Sequence, residues 1–173
     1  MALLAEELVE EWLNRQGYFT IRGIKIGVQE IDLLAVKSLS SGIECRHVEV
    51  QASMRPVSYI SRVPAAAQKE GRAANSAKRT KDELIDGVAE WVEKKFRHPK
   101  KLALMKSLWQ EQWSSELVIN KVKSEDEVAL IKEHGIKVIR LQSVVSELAK
   151  SGNYSAAGAD FVDLIHMSGE AQQ

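Results

Sequence analysis

Apolar positions recur at helical spacing at the start of the chain. In LLAEELVEEWLNRQ (3–16), Leu8 and Trp12 lie four apart, as do Val9 and Leu13, which predicts an amphipathic helix. Gly17 follows where a helix end favours glycine. The pattern then changes period. YFTIRGIKIG (18–27) is rich in β-formers and predicts a strand bent at Gly23, and IDLLAV (31–36) is a near-continuous apolar strand. SLSSG (38–42) is a turn, and IECRHVEVQ (43–51) is the returning strand. Apolar residues fall on both parities of IDLLAV, so both faces of this sheet are expected to be covered.

Pro56 and Pro64 break the next stretch. Residues 65–81 have a helical composition weakened by Gly71 and Asn75, so 52–81 reads as a flexible basic segment. DELIDGVAEWVEKKF (82–96) predicts a helix capped by Asp82, with Leu84, Val88, Trp91 and Val92 as its stripe. A further helix is expected over KKLALMKSLWQEQW (100–113), then a strand over 116–122. SEDEVALIKEHG (124–135) is a helix with Ser124 as N-cap, Glu127 at the capping-box position and Gly135 at its end. IKVIRL (136–141) is a strand, SVVSELAK (143–150) a short helix and 156–167 a final amphipathic helix. The order α-β-β-β-α(α)-β-α-β-α predicts one α/β domain over 1–173, a mixed sheet flanked by helices. Its hairpin is antiparallel and its later strand–helix–strand passage parallel.

Charge is unevenly distributed along this pattern. The whole chain is neutral, but residues 1–54 hold 5 Lys/Arg against 8 Asp/Glu, and residues 55–106 hold 13 against 6. An acidic first third beside a basic middle suits a metal-and-phosphate site. Cys45 is alone, which leaves no disulfide framework and no cysteine zinc cluster. No apolar run approaches the roughly 20 residues of a membrane span, so no membrane partner is expected. The acidic start MALLAEELVEEW is unlike a signal peptide, and the expected location is cytoplasmic.

The hairpin carries the candidate chemistry. If Lys37 faces Glu44 across the turn, Asp32 faces Glu49, with Cβ atoms roughly 5 Å apart. Two facing carboxylates repel, and a divalent cation would remove that penalty; Mg²⁺ sites use one or two carboxylates completed by water and phosphate oxygens. Gln51 is two residues beyond Glu49 and shares its face.

These residues resemble the motif of the PD-(D/E)XK nuclease superfamily: Asp32, a turn, then Glu49-Val50-Gln51. AEELVEEWLNRQGYF is similar to the first helix of Holliday-junction resolvases and Mrr-like restriction nucleases, with Glu6 eleven residues before Gly17-Tyr18. The likeness covers about residues 5–53; the later β-α-β agrees in order alone. The resemblance implies a restriction-endonuclease-like core and a Mg²⁺- or Mn²⁺-dependent endonuclease acting on DNA. Asp32, Glu49 and the Val50 carbonyl would bind the metal, Glu6 would support it, and Gln51 would orient the attacking water. Cutting two strands with one site per chain favours a homodimer.

Two departures stand out. Ile31 takes the place of the family's proline, and Gln51 takes the place of its usual lysine; either a lysine from elsewhere, Lys25 or Lys69, supplies the positive charge, or the site binds DNA and cuts it poorly or not at all. Backbone contacts to DNA are expected from Lys25, Lys69, Lys78, Arg79 and Lys81, and from the cluster Lys94, Lys95, Arg97, Lys100 and Lys101. Glu10, one turn from Glu6, competes for its role, and His47 reads as a satisfied core or edge histidine. Trp91, Trp109 and Trp113 fit helical core stripes better than base-stacking platforms. Two other readings are a catalytically degenerate nuclease fold that binds nucleic acid or protein, and an unrelated α/β binding domain.

Overall fold

The computed structural model describes residues 2–53 and 55–150. The element order is α1 (Ala2–Arg15), β1 (Phe19–Ile26), β2 (Gln29–Leu39), β3 (Gly42–Gln51), α2 (Ala65–Lys69), α3 (Lys81–Lys95), α4 (Pro99–Leu108), β4 (Trp113–Ile119), α5 (Glu125–Glu133), β5 (Lys137–Arg140) and α6 (Leu141–Lys150). The five strands form one sheet in the order β1-β2-β3-β4-β5. β1–β2 and β2–β3 are antiparallel, and β3–β4 and β4–β5 are parallel. The chain is therefore α/β with a mixed sheet. Among the described residues no helix is long and apolar enough to cross a membrane. The helix expected at 156–167 lies outside the described residues.

Each face of the sheet has its own core. On one side Val9 and Leu13 of α1 and Val144 and Leu148 of α6 pack on Leu33, Ala35, Val48, Val50 and Val118. On the other, Val88 and Val92 of α3, Phe96, and Val128 and Ile131 of α5 pack on Leu117 and Ile119. Met105 of α4 covers Ile31 and Leu34 nearby. The strands in mid-sheet are covered on both faces: on β2, Ile31, Leu33, Leu34 and Ala35 are buried, as the apolar residues on both parities of IDLLAV predict, and on β3 burial runs from Cys45 to Val50 and takes in Arg46, His47 and Glu49.

The hairpin register is as the turn predicts, with Lys37 opposite Glu44 and Leu33 opposite Val48. The alternation breaks at one place. Leu33 packs toward α1, yet Ile31, two residues earlier, packs with Met105 of α4. On β1, Arg22 pairs with Glu7 and Glu10 of α1, while Ile24 joins the Met105 cluster. Gly23, with φ +67°, and Asp32 lie between these pairs, and neither takes part in the ladder. A residue with a Cβ is strained at that φ, so glycine lets the ribbon turn over here.

Several local expectations need correction. Between 65 and 80 only the five-residue α2 is helical, and the chain from Glu70 to Thr80 is loop, consistent with Gly71 at φ +94°; α3 takes in Lys81. The N-cap of α3 is Thr80, not Asp82, because Thr80 and Glu83 make a reciprocal capping box. α4 stops at Leu108, and Trp113 opens β4 opposite Cys45, since ladder pairing with β3 wins over helical spacing. Trp109 and Trp113 are therefore not on a helical stripe. β4 ends at Ile119, and Val122 makes an isolated bridge to Val57.

Candidate functional site

Asp32 sits where the β1–β2 and β2–β3 ladders open. With no ladder partner there, its Oδ2 accepts a hydrogen bond from the Val50 N–H at 2.8 Å. Glu49, one step past the last β2–β3 pair, points to the α3 side and is 1% exposed. Its carboxylate is met by three donors. His47 Nε2 lies 2.9 Å from Oε1, Lys101 Nζ donates to Oε1 at 2.7 Å, and Lys95 Nζ donates to Oε2 at 2.9 Å. Lys95 ends α3, and Lys101 lies in the first turn of α4. Lys101 also donates to the Lys95 carbonyl at 2.8 Å, tying the α3–α4 junction around Glu49.

The electrostatics divide the two acids. Burial raises the pKa of Asp32, the Glu49 charge raises it further, and Lys95 and the Val50 N–H offset only part, leaving it at about 7. Burial also acts to raise Glu49, but His47, Lys95 and Lys101 outweigh it and hold it at about 2. Glu49 thus keeps the negative charge and Asp32 keeps the proton below neutral pH. Burial lowers Lys95, but the Glu49 carboxylate overrides this and raises it, with Asp32 and Glu30 adding to the effect.

Glu6 faces the same cluster from α1. Its pKa is raised by burial and by Glu30, opposed by Arg22 and Lys95, and raised further by Glu49. Glu10, its competitor in sequence, is committed elsewhere: it pairs with Arg22 Nε at 3.2 Å and accepts from Thr20 Oγ1 at 3.1 Å. Gln51 is half-buried, and its Nε2 donates to the Ile60 carbonyl at 3.2 Å. That loop is itself clamped by Glu127, which accepts from the Ile60 and Ser61 N–H groups at 2.6 and 2.8 Å and from the Ser61 hydroxyl at 2.5 Å. Glu127 therefore spends its carboxylate on the loop, not on a capping box.

The sources of positive charge differ from those expected. The ammonium groups on Glu49 come from Lys95 and Lys101, not from Lys25 or Lys69, which are exposed on β1 and α2. Neither helical lysine was singled out for this role by spacing, because they lie 46 and 52 residues from Glu49 along the chain. Arg79 is a staple: it donates to the Ser61 carbonyl at 2.8 Å and lies 4.1 Å over the Tyr59 ring. Lys78 and Lys81 are exposed. In the α3–α4 cluster, Lys101 is buried and Arg97 pairs with Glu93 at 3.0 Å, which leaves Lys94 and Lys100 facing solvent.

The donor set suits a hard, oxygen-liganded cation. Asp32 and Glu6 both carry raised pKa values, first because they are buried and second because another carboxylate lies nearby, Glu49 for Asp32 and Glu30 for Glu6. Among the described residues no three His, Cys, Asp or Glu side chains are grouped closely enough to hold an ion by themselves. An ion here would complete its shell with water and phosphate, as Mg²⁺ commonly does.

No protein-family model and no curated protein matches the sequence. Among solved structures, the chain is similar to a crystal structure described as a protein of unknown function, AF1548, with 14% identity and a TM-score of 0.48. The match covers 85% of this chain and 66% of that one, so the chain spans just under two thirds of its length. A likeness at that level says nothing about chemistry.

Proposed function

We propose that the protein is a restriction-endonuclease-like, Mg²⁺- or Mn²⁺-dependent endonuclease that hydrolyses DNA phosphodiester bonds. The observation that carries this reading is the meeting of Asp32 and Glu49 at the opened end of the β2–β3 ladder, with the Lys95 ammonium on Glu49 at 2.9 Å. Asp32 and Glu49 would hold the ion, with the Val50 carbonyl as a further ligand and Glu6 in support. The bound ion would polarise the scissile phosphate and lower the pKa of water. Lys95 supplies from α3 the positive charge that Gln51 lacks, poised to offset charge on the phosphate. Gln51, held by the Ile60 carbonyl, keeps its own carbonyl oxygen to orient water. With one site per chain, two chains would cut two strands.

The test is nicking of supercoiled and cruciform DNA with Mg²⁺ or Mn²⁺. Wild type is expected to cut, and Asp32→Asn and Lys95→Ala to cut far more slowly. Cleavage unchanged in both variants would overturn the assignment.

One observation favours a second reading, a nuclease fold that binds nucleic acid without cutting it. Both oxygens of Glu49 are already met by His47, Lys101 and Lys95, a set that neutralises the carboxylate by itself. That reading expects retarded DNA in gel shifts, no cleavage with either metal, and no heat of Mn²⁺ binding in calorimetry.

A further inference from the structure

A cleft of about 460 Å³ opens directly beside this site and shares Val50, Gln51 and Lys95 with it. That volume falls within the range of small-ligand pockets. The cleft lies between the end of β3, the 60–63 segment and α3. Its apolar walls are Ile60, Val63 and the half-buried Trp91. Trp91 is not wholly committed to the core, as its stripe position predicts. One side meets Phe96 at 5.8 Å and 68°, which fixes the ring, and the indole also lines the cleft.

The polar groups are arranged for an anion and a base. Arg62 and Lys94 line the cleft and are exposed; among the described residues neither side chain makes a hydrogen bond or ion pair. Glu90, the acid in the lining, is occupied by the Ala65 N–H at 2.9 and 3.1 Å. Gln51 and Gln68 both turn their amide nitrogens onto the 60–63 segment, to the carbonyls of Ile60 at 3.2 Å and Val63 at 2.5 Å. Their carbonyl oxygens remain as acceptors, which suits the exocyclic amino group of a base. Gly87 forms the floor: a Cβ there would stand 2.5 Å from the Arg62 carbonyl, so the close approach of α3 to this segment depends on glycine.

We propose that this cleft receives one unpaired nucleotide of the substrate strand, its base against Trp91 and its phosphate toward Arg62, Lys94 and Lys95. The inference rests on the nuclease reading of the adjoining site and narrows it to substrates with an unpaired base. A base stacked within a duplex cannot enter such a recess without leaving its helix. Stacking on an aromatic face is tolerant of sequence, so the cleft reads strandedness first and the amino group second.

The test uses the full chain in EDTA, so binding is read without cleavage. A single-stranded DNA hexamer rich in adenine is expected to bind about tenfold or more tightly than a hexamer of abasic sugar-phosphate units, and to quench tryptophan emission. Trp91→Leu should abolish both the preference and the quenching, with folding checked by thermal melting. Arg62→Ser with Lys94→Ser, two exposed changes that spare the core, should weaken both hexamers severalfold and leave the preference intact. Equal affinity for the two hexamers in wild type would overturn the inference, as would quenching that survives Trp91→Leu or binding indifferent to the double substitution. A base preference in a protein that nicks nothing would overturn the nuclease reading and uphold the cleft. Nicking without base preference would do the reverse.

Discussion

β3 carries a buried ionic group on each face, and the two are built differently. Toward α1, Arg46 meets Glu116 in a bidentate pair, at 2.9 Å from Nε and 2.5 Å from Nη2. The guanidinium lies 5.2 Å from the Trp12 ring centre and 4.9 Å from that of Tyr18, and Ser114 Oγ donates to Glu116 at 3.1 Å. One close cation serves one anion, with the exposed Lys137 ammonium farther off, at 3.8 Å from Glu116. Toward α3 and α4, Glu49 faces two ammonium groups and a histidine, with Asp32 and Glu6 bearing on the same charges. The first group is a closed bond between strands. The second leaves one carboxyl, that of Asp32, at a pKa of about 7, held there by burial and by the Glu49 charge. A structural pair needs balance, whereas a site that binds and releases something needs charge left over.

The largest expected effect comes from removing the imbalance. Asp32→Asn should reduce DNA nicking about 10³-fold without loss of stability, because it replaces the group whose ionisation the fold opposes. Retained nicking at wild-type rates would show that the α3-side group is as structural as its counterpart.

Arg46→Met should do the opposite. It removes the bidentate partner of the buried Glu116 and leaves only the more distant Lys137 at 3.8 Å, at a cost of about 3 kcal/mol, read as a lower urea midpoint. The protein that remains folded should nick DNA at the wild-type rate. A variant that keeps its midpoint would show that the pair adds nothing.

Lys95→Ala removes the only one of the two ammonium groups with solvent access, 33% exposed against 1% for Lys101. Nicking should fall about 10²-fold, with Lys95→Arg recovering part of it. Loss of stability without loss of rate would assign Lys95 to the scaffold.

The pH dependence sharpens the contrast further. The folded pKa of Asp32, about 7, lies above its ordinary 3.8, so the fold holds a proton that the unfolded chain has lost. That contribution to stability is complete below about 3.8 and is lost as pH rises through about 7. Glu49 runs the other way: its contribution is present above 4.5 and is lost as pH falls through about 2. In EDTA, wild type should lose on the order of 2–3 kcal/mol between pH 5 and pH 8 relative to Asp32→Asn. Parallel stability curves for the two proteins would refute the raised pKa.

The smallest effect is expected from Gln51→Lys. With Lys95 already on Glu49, a further ammonium should leave the nicking rate nearly unchanged. A large gain would mean that Lys95 does not fill the role that the motif assigns to a lysine.

Much of this was legible along the chain because it is local. The β2–β3 register follows from the turn, so counting from Lys37 and Glu44 places Asp32 and Glu49 side by side just past the last pair, Leu33 and Val48. Period and end signals placed α1 and α5 to within a residue or two. Short-range signals failed where distant partners competed for the same residues. Trp113 left its expected helix to pair with Cys45, and Glu127, although its N–H donates to the Ser124 N-cap as the motif predicts, turned its carboxylate to Ile60 and Ser61, 67 and 66 residues away.

By itself, then, the sequence determined the elements, the hairpin and the two carboxylates that it aligns, because periodicity and turn chemistry act over a few residues. Only the tertiary structure decided how those charges are answered. Lys95 and Lys101 reach Glu49 because α3 and α4 cross β3 on the face that Glu49 occupies, and the 60–63 segment reaches Gln51 because Glu127 holds it there. Electrostatic compensation depends on distance through space, and no spacing along a chain encodes it.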